Sequence, residues 1–388
     1  MLKKIIYAVL PLVILMLSLA ACKKDIDPGI VNPPVNPPGT ATIDWSKAAD
    51  SSTNALIEKF WNPSGNYFNE KNINTNFHYW PQAHALDVLV DAYVRTGKPE
   101  YKDYMDKWFT GVNQKNGNTF INEFYDDMEW NALAMLRAYE ATDEVKYKNA
   151  VDVLWTDIKA GWNSTMGGGI AWRKSMPYYK NTPANGPPAI LAARLYKKFN
   201  NPDDLEWAKK IYSWLKETLY NKSTGWVYDG INSENDGKRN ESWKFTYNQG
   251  TFIGAAVELF KITNDAGYLN DAVQAANFTL SDNTLTNFED NLLRDEGGGD
   301  GGLFKGVFVR YFTQLILTEG MLSADRTRYV SYLKHNAQTL WNTGTDKHNL
   351  LFSSYWKTKA GATTDLTIQL SGAMLIEAAA LLKEKGLL

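Results

Sequence analysis

A chain of 388 residues with an apolar fraction of 44% can build a full hydrophobic core in one large domain or in several smaller ones. Lys and Arg total 41 against 43 Asp and Glu, and this net charge of −2 argues against the basic surface that nucleic-acid binding requires, so we expect no nucleic-acid partner. The aromatic content is high, with 14 Trp, 21 Tyr and 16 Phe, and it favours a carbohydrate ligand because an indole face stacks on the apolar face of a sugar.

The N-terminus has the composition of an export signal. Two lysines precede an apolar run over residues 5–20 that is too short to span a membrane comfortably. The Leu-Ala-Ala-Cys sequence at 19–22 resembles the bacterial lipoprotein signal, in which the cysteine becomes the lipidated first residue. We therefore predict a signal peptide over residues 1–21, lipidation at Cys22, and anchoring to the cell envelope, with the outer membrane of a Gram-negative bacterium as the expected location. An ordinary secretory signal with a chance cysteine is the alternative.

A proline-rich linker follows over residues 22–42. The paired prolines in the Asn-Pro-Pro-Val-Asn-Pro-Pro sequence at 32–38 favour an extended polyproline conformation and cannot build a core. Because Cys22 is the only cysteine, no disulfide can form within the chain. The folded domain is therefore predicted to occupy residues 43–388.

Within this domain the apolar residues recur at helical spacing, and no strand alternation persists. Short connections of a few residues and long loops, most of roughly fifteen to twenty-five residues, alternate along the chain. The pattern predicts twelve helices, at about 44–60, 80–97, 99–110, 127–142, 144–160, 184–199, 203–220, 246–263, 265–280, 304–320, 325–341 and 366–386.

This alternation of connections predicts the architecture. If consecutive helices run antiparallel, every long loop lies at one end of the domain and every short connection lies at the other. Six helical hairpins closed into an all-α (α/α)6 barrel, with long loops elaborating one face, fit this pattern. A two-helix solenoid is the alternative, but its repeats would show a fixed sequence period, and we find none.

Two adjacent carboxylates, Asp126 and Asp127, lie between aromatic residues where a long loop becomes the fourth helix. The Asp-x-x-Glu spacing of Asp126 and Glu129 is also typical of a capping box, which would satisfy free backbone N–H groups. The chain contains a comparison in Asp203 and Asp204, another pair before a helix, which falls on the face of the short connections. Position on the long-loop face therefore favours a catalytic pair, and capping and catalysis are compatible.

The chemistry of such a pair suits glycoside hydrolysis, which needs two carboxyl groups across a sugar. Adjacent residues at a helix N-terminus diverge by about 100°, so we expect both carboxyls in one cleft at about 5–6 Å, the separation of retaining enzymes. The helix N-terminus favours ionisation of one aspartate. That charge, together with an aromatic wall such as Tyr125 or Trp130, would raise the pKa of the other.

The sequence lacks the motifs of other reaction types. The sequence has no dinucleotide-binding glycine loop after a strand, no Walker loop and no His-Glu-x-x-His helix, so no cofactor is expected. His78 and His84 are six residues apart, a spacing that does not place two side chains on one face of a helix, so no metal site is expected. His84 is interpreted as structural, and His78 is a candidate for substrate contact. The glycine-rich segment 295–302 offers a calcium loop as an alternative, but close approach of glycine backbone to a ligand is favoured.

Five sequence blocks resemble glycoside hydrolase family 76, in order along nearly the whole domain. They are Asp126-Asp127 after an aromatic residue, Gly-Gly-Gly-Ile-Ala-Trp at 167–172, Lys-Asn-Thr-Pro-Ala-Asn-Gly-Pro at 180–187, Tyr-Asn-Gln-Gly-Thr at 247–251 and Phe-Lys-Gly-Val-Phe-Val-Arg-Tyr at 304–311. The resemblance implies an (α/α)6 barrel and a retaining, endo-acting α-1,6-mannanase whose partner is an α-mannan polysaccharide or oligosaccharide. It also implies that Asp126 is the nucleophile and Asp127 the general acid/base.

The same blocks supply candidate residues for substrate binding, and we add the aromatic neighbour of the pair and one histidine. The candidates are Trp172, Asn185, Tyr247, Asn248, Lys305, Arg310, Tyr125 and His78. Structural roles are the alternatives: a turn or cap at Asn185 and a buried ion pair at Arg310.

Rival functions stay open at this point. A non-catalytic glycan-binding surface lipoprotein would need the aromatic residues but not the paired carboxylates. A transglycosidase would use the same pair with a sugar as acceptor. An uronyl hydrolase would need a basic cleft and an epimerase paired histidines, and the near-neutral charge and four histidines argue against both. We expect a monomer.

Overall fold

The computed structural model describes residues 42–388. The predicted signal peptide, Cys22 and nearly all of the linker lie outside the described residues. Twelve α-helices occur in this part of the chain, as the sequence predicts, and the largest difference in extent is at the third, which continues to Lys115. They are α1 Trp45–Phe60, α2 Tyr79–Thr96, α3 Pro99–Lys115, α4 Tyr125–Thr142, α5 Val145–Ala160, α6 Gly186–Phe199, α7 Pro202–Leu219, α8 Thr246–Thr263, α9 Ala266–Ser281, α10 Gly301–Ile316, α11 Ser323–Thr339 and α12 Leu366–Glu384.

The even-numbered helices form a closed inner ring. Each of α2, α4, α6, α8 and α10 packs on the next, and α12 closes the ring by packing on α2. The odd-numbered helices form an outer layer on them, with α1 packed on α12. This arrangement confirms the predicted (α/α)6 barrel. The inner helix α12 is apolar and long enough to cross a membrane by composition, but most of it is buried in the barrel.

A recurring turn explains the short connections at one end of the barrel. After α2, α4, α6 and α8 a single residue takes a left-handed conformation, and its N–H donates to the carbonyl four residues earlier. Glycine, asparagine and aspartate adopt this conformation most readily, which is why such residues end these helices. The four residues are Gly97, Asp143, Asn200 and Asn264.

Short strands, which the sequence pattern did not predict, shape the long-loop face. Most of these strands are two residues long, which is too short to show an alternation of apolar and polar residues in the sequence. They are β1 Trp61–Asn62 with β2 Tyr67–Phe68, β3 Ala171–Arg173 with β4 Met176–Asn181 and β5 Gly230–Ile231, β6 Thr286–Asn287 with β7 Leu292–Leu293, and β8 Thr345–Asp346 with β9 Leu351–Phe352. All pairings are antiparallel.

Helices of the inner ring approach one another closely at glycine residues. A Cβ on Gly250 of α8 would lie 2.6 Å from the Cα of Phe308 on α10. A Cβ on Gly306 of α10 would lie 2.8 Å from the Cα of Ser371 on α12. Both distances are too short for any larger residue without a backbone shift, so glycine sets the spacing of these helices. Because every inner helix begins at a long loop, six helix N-termini face the elaborated end.

Candidate active site

The aspartate pair lies in the first turn of α4, as predicted, but the capping box suggested by the Asp-x-x-Glu spacing is not formed. The helix begins at Tyr125, and the residue before it, Phe124, forms no side-chain cap. Asp126 and Asp127 therefore follow the helix start, and they lie partly exposed. Glu129 is fully buried, and neither of its oxygens has a hydrogen-bond partner among the described residues, so it does not reach back to the helix start.

The hydrogen bonds distinguish the two aspartates. Asp126 accepts one at 3.1 Å from the backbone N–H of Asp127 and another at 3.1 Å from the indole Nε1 of Trp172. Within residues 42–388 the Asp127 carboxylate accepts none. Donors to a carboxylate favour its ionised form. This asymmetry makes Asp126 the more easily ionised member of the pair.

The electrostatic setting keeps a proton on the pair. Burial raises the pKa of Asp126, its two hydrogen bonds oppose that rise, and the charge of Asp300 adds to it. Burial also raises the pKa of Asp127, and the charges of Asp126 and Asp300 raise it further without any opposing donor. Both shifts favour the protonated form, and the two hydrogen bonds to Asp126 make Asp127 the more easily protonated of the two carboxyls.

Trp172 forms one wall beside the pair. It lies on β3, with its ring edge-on to Phe124 at 5.2 Å and to Tyr179 at 5.6 Å between centroids. The guanidinium of Arg173 lies 4.9 Å from the same ring. Its hydrogen bond to Asp126 places Trp172 beside the pair, and its contact with a sugar stays a prediction.

A second wall comes from the N-terminus of α8. Tyr247 stacks on Phe304 at 3.9 Å with the rings nearly parallel, and its hydroxyl donates to Asp229 at 3.2 Å. The buried carboxylate of Asp229 also accepts from Tyr179 at 3.2 Å and from the Asn248 amide at 3.0 Å. The charge of Asp126 contributes to the raised pKa of both tyrosines, after the larger effects of burial and Asp229. Asp229 therefore orients the two tyrosines beside the pair.

The glycine-rich segment 295–302 closes the third side. Asp300 accepts a hydrogen bond at 2.8 Å from the Trp80 indole, and the His78 Nε2 lies 3.7 Å from the same oxygen. His78, predicted as a substrate contact, is therefore on the cleft side and partly exposed. Glu296 instead accepts from the N–H and hydroxyl of Thr246 at the start of α8. Among the described residues no cluster of three or more metal-ligating side chains occurs, here or elsewhere.

Four predicted substrate contacts are buried, which corrects their interpretation. The amide of Asn185 bonds the backbone of Ile170 and Asn181 and so fixes the start of the β3 segment. The amide of Asn248 is fully buried and holds Asp229. The Lys305 ammonium donates to the Ser354 carbonyl and lies over the Trp356 ring. The Tyr125 ring packs against Gly161.

Arg310 lies far below the cleft, so its predicted sugar contact is wrong. It pairs with Asp91 at 2.8 Å and with Asp87 at 3.5 Å, and both carboxylates also bind Arg137. This ion cluster belongs to the opposite end of the barrel, beside an open cavity of about 200 Å³. The buried ion pair, the structural alternative at this position, is what the structure shows.

The comparison pair on the other face also has a structural role. The Asp204 carboxylate is buried and accepts a hydrogen bond at 2.8 Å from the Trp155 indole, whereas Asp203 is exposed. The sequence placed Asp229 and Asp300 on the long-loop face but gave neither a role in the site. Their only signal was a position in long loops, where a carboxylate gives no periodic pattern.

Comparison with known proteins agrees with this geometry. Residues 44–388 match the sequence profile of Glycosyl hydrolase family 76. The solved structure of the GH76A alpha-1,6-mannanase from Salegentibacter sp. HEL1_6 superposes with a TM-score of 0.84 at 43% sequence identity, covering 87% of this chain and 100% of that chain. An inactive variant of that mannanase, with two successive aspartates replaced by asparagine, is known in complex with alpha-1,6-mannotriose; it superposes with the same TM-score at 42% identity and the same coverage.

A more distant relative is the mannan endo-1,6-alpha-mannosidase DCW1 of Candida glabrata. It is 24% identical over 205 residues, which are 48% of this chain and 46% of that protein, so the chain spans about half the length of this relative. The family profile, in contrast, covers the whole barrel. With that profile matched over residues 44–388, the chain belongs to glycosyl hydrolase family 76.

Proposed function

We propose that this protein is a retaining, endo-acting hydrolase of α-1,6-linked mannan. The observation that carries the proposal is the Asp126–Asp127 pair at the start of α4, with hydrogen-bond donors on one carboxylate and none on the other. Family membership supports glycoside hydrolysis. The similarity to a mannanase whose inactive form lacks two successive aspartates supports the substrate class and the importance of such a pair.

In the proposed mechanism the two aspartates divide the chemistry. Asp126, ionised, attacks the anomeric carbon while Asp127 gives its proton to the departing glycosidic oxygen. The glycosyl–enzyme ester on Asp126 is then cleaved by water, and Asp127 takes the proton of that water. The first product is the mannan fragment that carries the departing glycosidic oxygen. The second product, released by water, keeps the anomeric configuration of the substrate.

The aromatic walls supply binding. Trp172 and Tyr247 present rings on two sides of the pair, and Asp229 holds Tyr247 in place through its hydroxyl. A pyranose stacks its C–H face on such rings, and its hydroxyls bond to nearby polar groups. Endo action is proposed from the resemblance to family 76 and from the similarity to mannan endo-1,6-alpha-mannosidases.

The proposal is tested by digestion of linear α-1,6-mannan. We expect a ladder of oligosaccharides by size analysis, and initial release of the α-anomer by NMR. Initial β-anomer would contradict retention, and release of single mannose units alone would contradict endo action. Products longer than the starting oligosaccharide would favour a transglycosidase, and binding without any cleavage would favour the glycan-binding lipoprotein.

Trp172→Phe should separate ring stacking from hydrogen bonding. Phenylalanine retains an aromatic face but loses the N–H that donates to Asp126. A hydrogen bond to a charged group contributes roughly 1.5–3 kcal/mol, so we expect kcat/KM to fall about tenfold or more. That bond lowers the pKa of Asp126, so its loss raises the pKa and moves the acid limb of the pH profile to higher pH. The profile of kcat/KM measures this, and an unmoved acid limb would refute the role of the indole.

The cellular setting remains a proposal from the sequence. A lipid on Cys22 would hold the barrel at the envelope, with the linker as a spacer that lets the cleft reach a polysaccharide. We retain the outer membrane as the proposed location, and a monomer as the proposed state.

A further inference from the structure

The contact between the Trp172 indole and Asp126 depends on the path of the chain that leads to Trp172. Gly169, three residues earlier, has a φ of +85°, and a Cβ there would lie 2.8 Å from the Trp214 ring. Glycine is the residue that fits this path, and it gives the backbone little stiffness of its own. Groups outside the segment must therefore fix the direction in which the chain enters β3.

Lys180 of β4 holds this segment at two points. Its ammonium donates to the Gly169 carbonyl at 2.8 Å. Its backbone pairs with Ala171, the residue directly before Trp172, in the antiparallel pairing of β3 with β4. One residue therefore fixes the chain on both sides of the step from the glycine turn into β3.

Asn185 holds the residue between those two points. Its side-chain oxygen accepts from the Ile170 N–H at 2.8 Å, and its side-chain nitrogen donates to the Ile170 carbonyl at 3.0 Å. Lys180 and Asn185 are both fully buried. Residues 169–171 are thus each fixed by a buried partner, and Trp172 follows directly.

The Lys180 ammonium is buried without a salt bridge in the part of the chain that the structure describes. Within residues 42–388 its contact with the Gly169 carbonyl is its one hydrogen bond. Burial lowers the pKa of Lys180 to about 7. Burying an amine without a carboxylate partner costs stability. The position of Lys180 is therefore explained by the segment that it holds rather than by a gain in stability.

We propose that Lys180 is a positioning residue that keeps the Trp172 indole in hydrogen-bond contact with Asp126. Lys180 fixes Gly169 and Ala171, and Trp172 transmits that position to the carboxylate through its 3.1 Å hydrogen bond. The inference rests on the proposed glycosidase function for its kinetic consequence. The position of the indole is a property of the protein alone.

Lys180→Met tests the inference, because methionine fills much of the same volume and lacks the donor to Gly169. We expect kcat/KM on α-1,6-mannan to fall about three- to tenfold, mostly through kcat, because a displaced indole is a weaker donor to the nucleophile. The acid limb of the kcat/KM profile should move to higher pH by roughly half a unit, because a carboxylate that loses a donor has a raised pKa. Lys180→Gln, with a shorter donor, should show a smaller change in the same direction.

The Trp172→Phe background separates positioning from a general loss of stability. If Lys180 acts through the indole, Lys180→Met should move the acid limb no further once the indole N–H is absent. Tyr329→Phe is the stability control, because it removes a buried hydroxyl that bonds Asn277 between α11 and α9. Its acid limb should match that of the wild type. An unmoved limb in Lys180→Met, or an additive movement in the double variant, would overturn the inference.

A readout without substrate separates this inference from the proposed function. The indole N–H of Trp172, labelled with ¹⁵N and identified by its loss in Trp172→Phe, is observed by NMR. In Lys180→Met we expect its resonance to shift and its exchange with solvent to become several-fold faster, whereas Tyr329→Phe should leave both unchanged. Such a change supports the inference even if mannan is not the substrate.

An unchanged indole signal in Lys180→Met refutes the inference even if mannan is cleaved. If Lys180→Met yields no folded protein, Lys180→Gln is measured in the same way, and the same two outcomes decide.

Discussion

Asp126→Asn and Asp127→Asn should each abolish cleavage of α-1,6-mannan, with kcat falling on the order of a thousandfold or more. Asparagine fits the same space but cannot form the glycosyl ester or supply a proton of suitable acidity. Binding of mannan oligosaccharides should persist, because the aromatic walls are untouched. Kinetics on mannan together with calorimetric binding measures both effects.

The leaving group distinguishes the two roles. An aryl α-mannoside has a leaving group that needs no protonation. With this substrate the Asp127→Asn variant should regain much of the rate of the first step, in which the glycosyl ester forms, and the Asp126→Asn variant should not. Asp203→Asn is the matched control, because Asp203 belongs to an Asp-Asp pair in a helix first turn on the opposite face and is exposed. Its activity should equal that of the wild type. Equal rescue of both catalytic variants would contradict the assignment of nucleophile and acid.

Arg310→Met should lower the free energy of unfolding by about 3–5 kcal/mol, because removing one of two cations leaves Arg137 alone to compensate two largely buried carboxylates. Asp87 is 7% exposed and Asp91 is 19% exposed, and Arg310 bridges them together with Arg137. Denaturant unfolding measures the change. A Lys222→Met variant, which breaks an exposed pair with a neighbouring glutamate, should leave unfolding unchanged.

The same cluster should make the fold sensitive to acid. Burial alone would raise the pKa of Asp91, but Arg137 and Arg310 outweigh it and lower the pKa to about 2. A lowered pKa in the folded state stabilises the protein above the pKa of the unfolded chain, about 3.9. This contribution should therefore be lost as pH falls from about 4 toward 2. If Arg310→Met instead kept full stability and lost mannan binding, Arg310 would be a sugar contact after all.

The positions of the predicted residues show how far a motif specifies a site. In the block at 304–311, Lys305 and Arg310 are the fifth and tenth residues of an inner helix that begins at the cleft. At 1.5 Å per residue Arg310 lies about 13 Å below the rim, beyond the reach of a sugar. The block therefore resembles the family, but its polar residues Lys305 and Arg310 stabilise the barrel. In the block at 167–172, in contrast, Trp172 lies on a loop strand and does meet the pair.

The sequence by itself determined the helices, their order and the closed ring, because helical spacing of apolar residues and the lengths of connections are local properties of the chain. It also determined the position of Asp126 and Asp127 at a helix start on the elaborated face. Only the tertiary structure decided which polar residues surround them. Asp229 and Asp300 come from loops whose conformation depends on partners far along the chain, such as Asn248 and Trp80. The tertiary structure also gave Asp126 two donors and Asp127 none, and that difference is the basis for proposing Asp126 as the nucleophile and Asp127 as the acid.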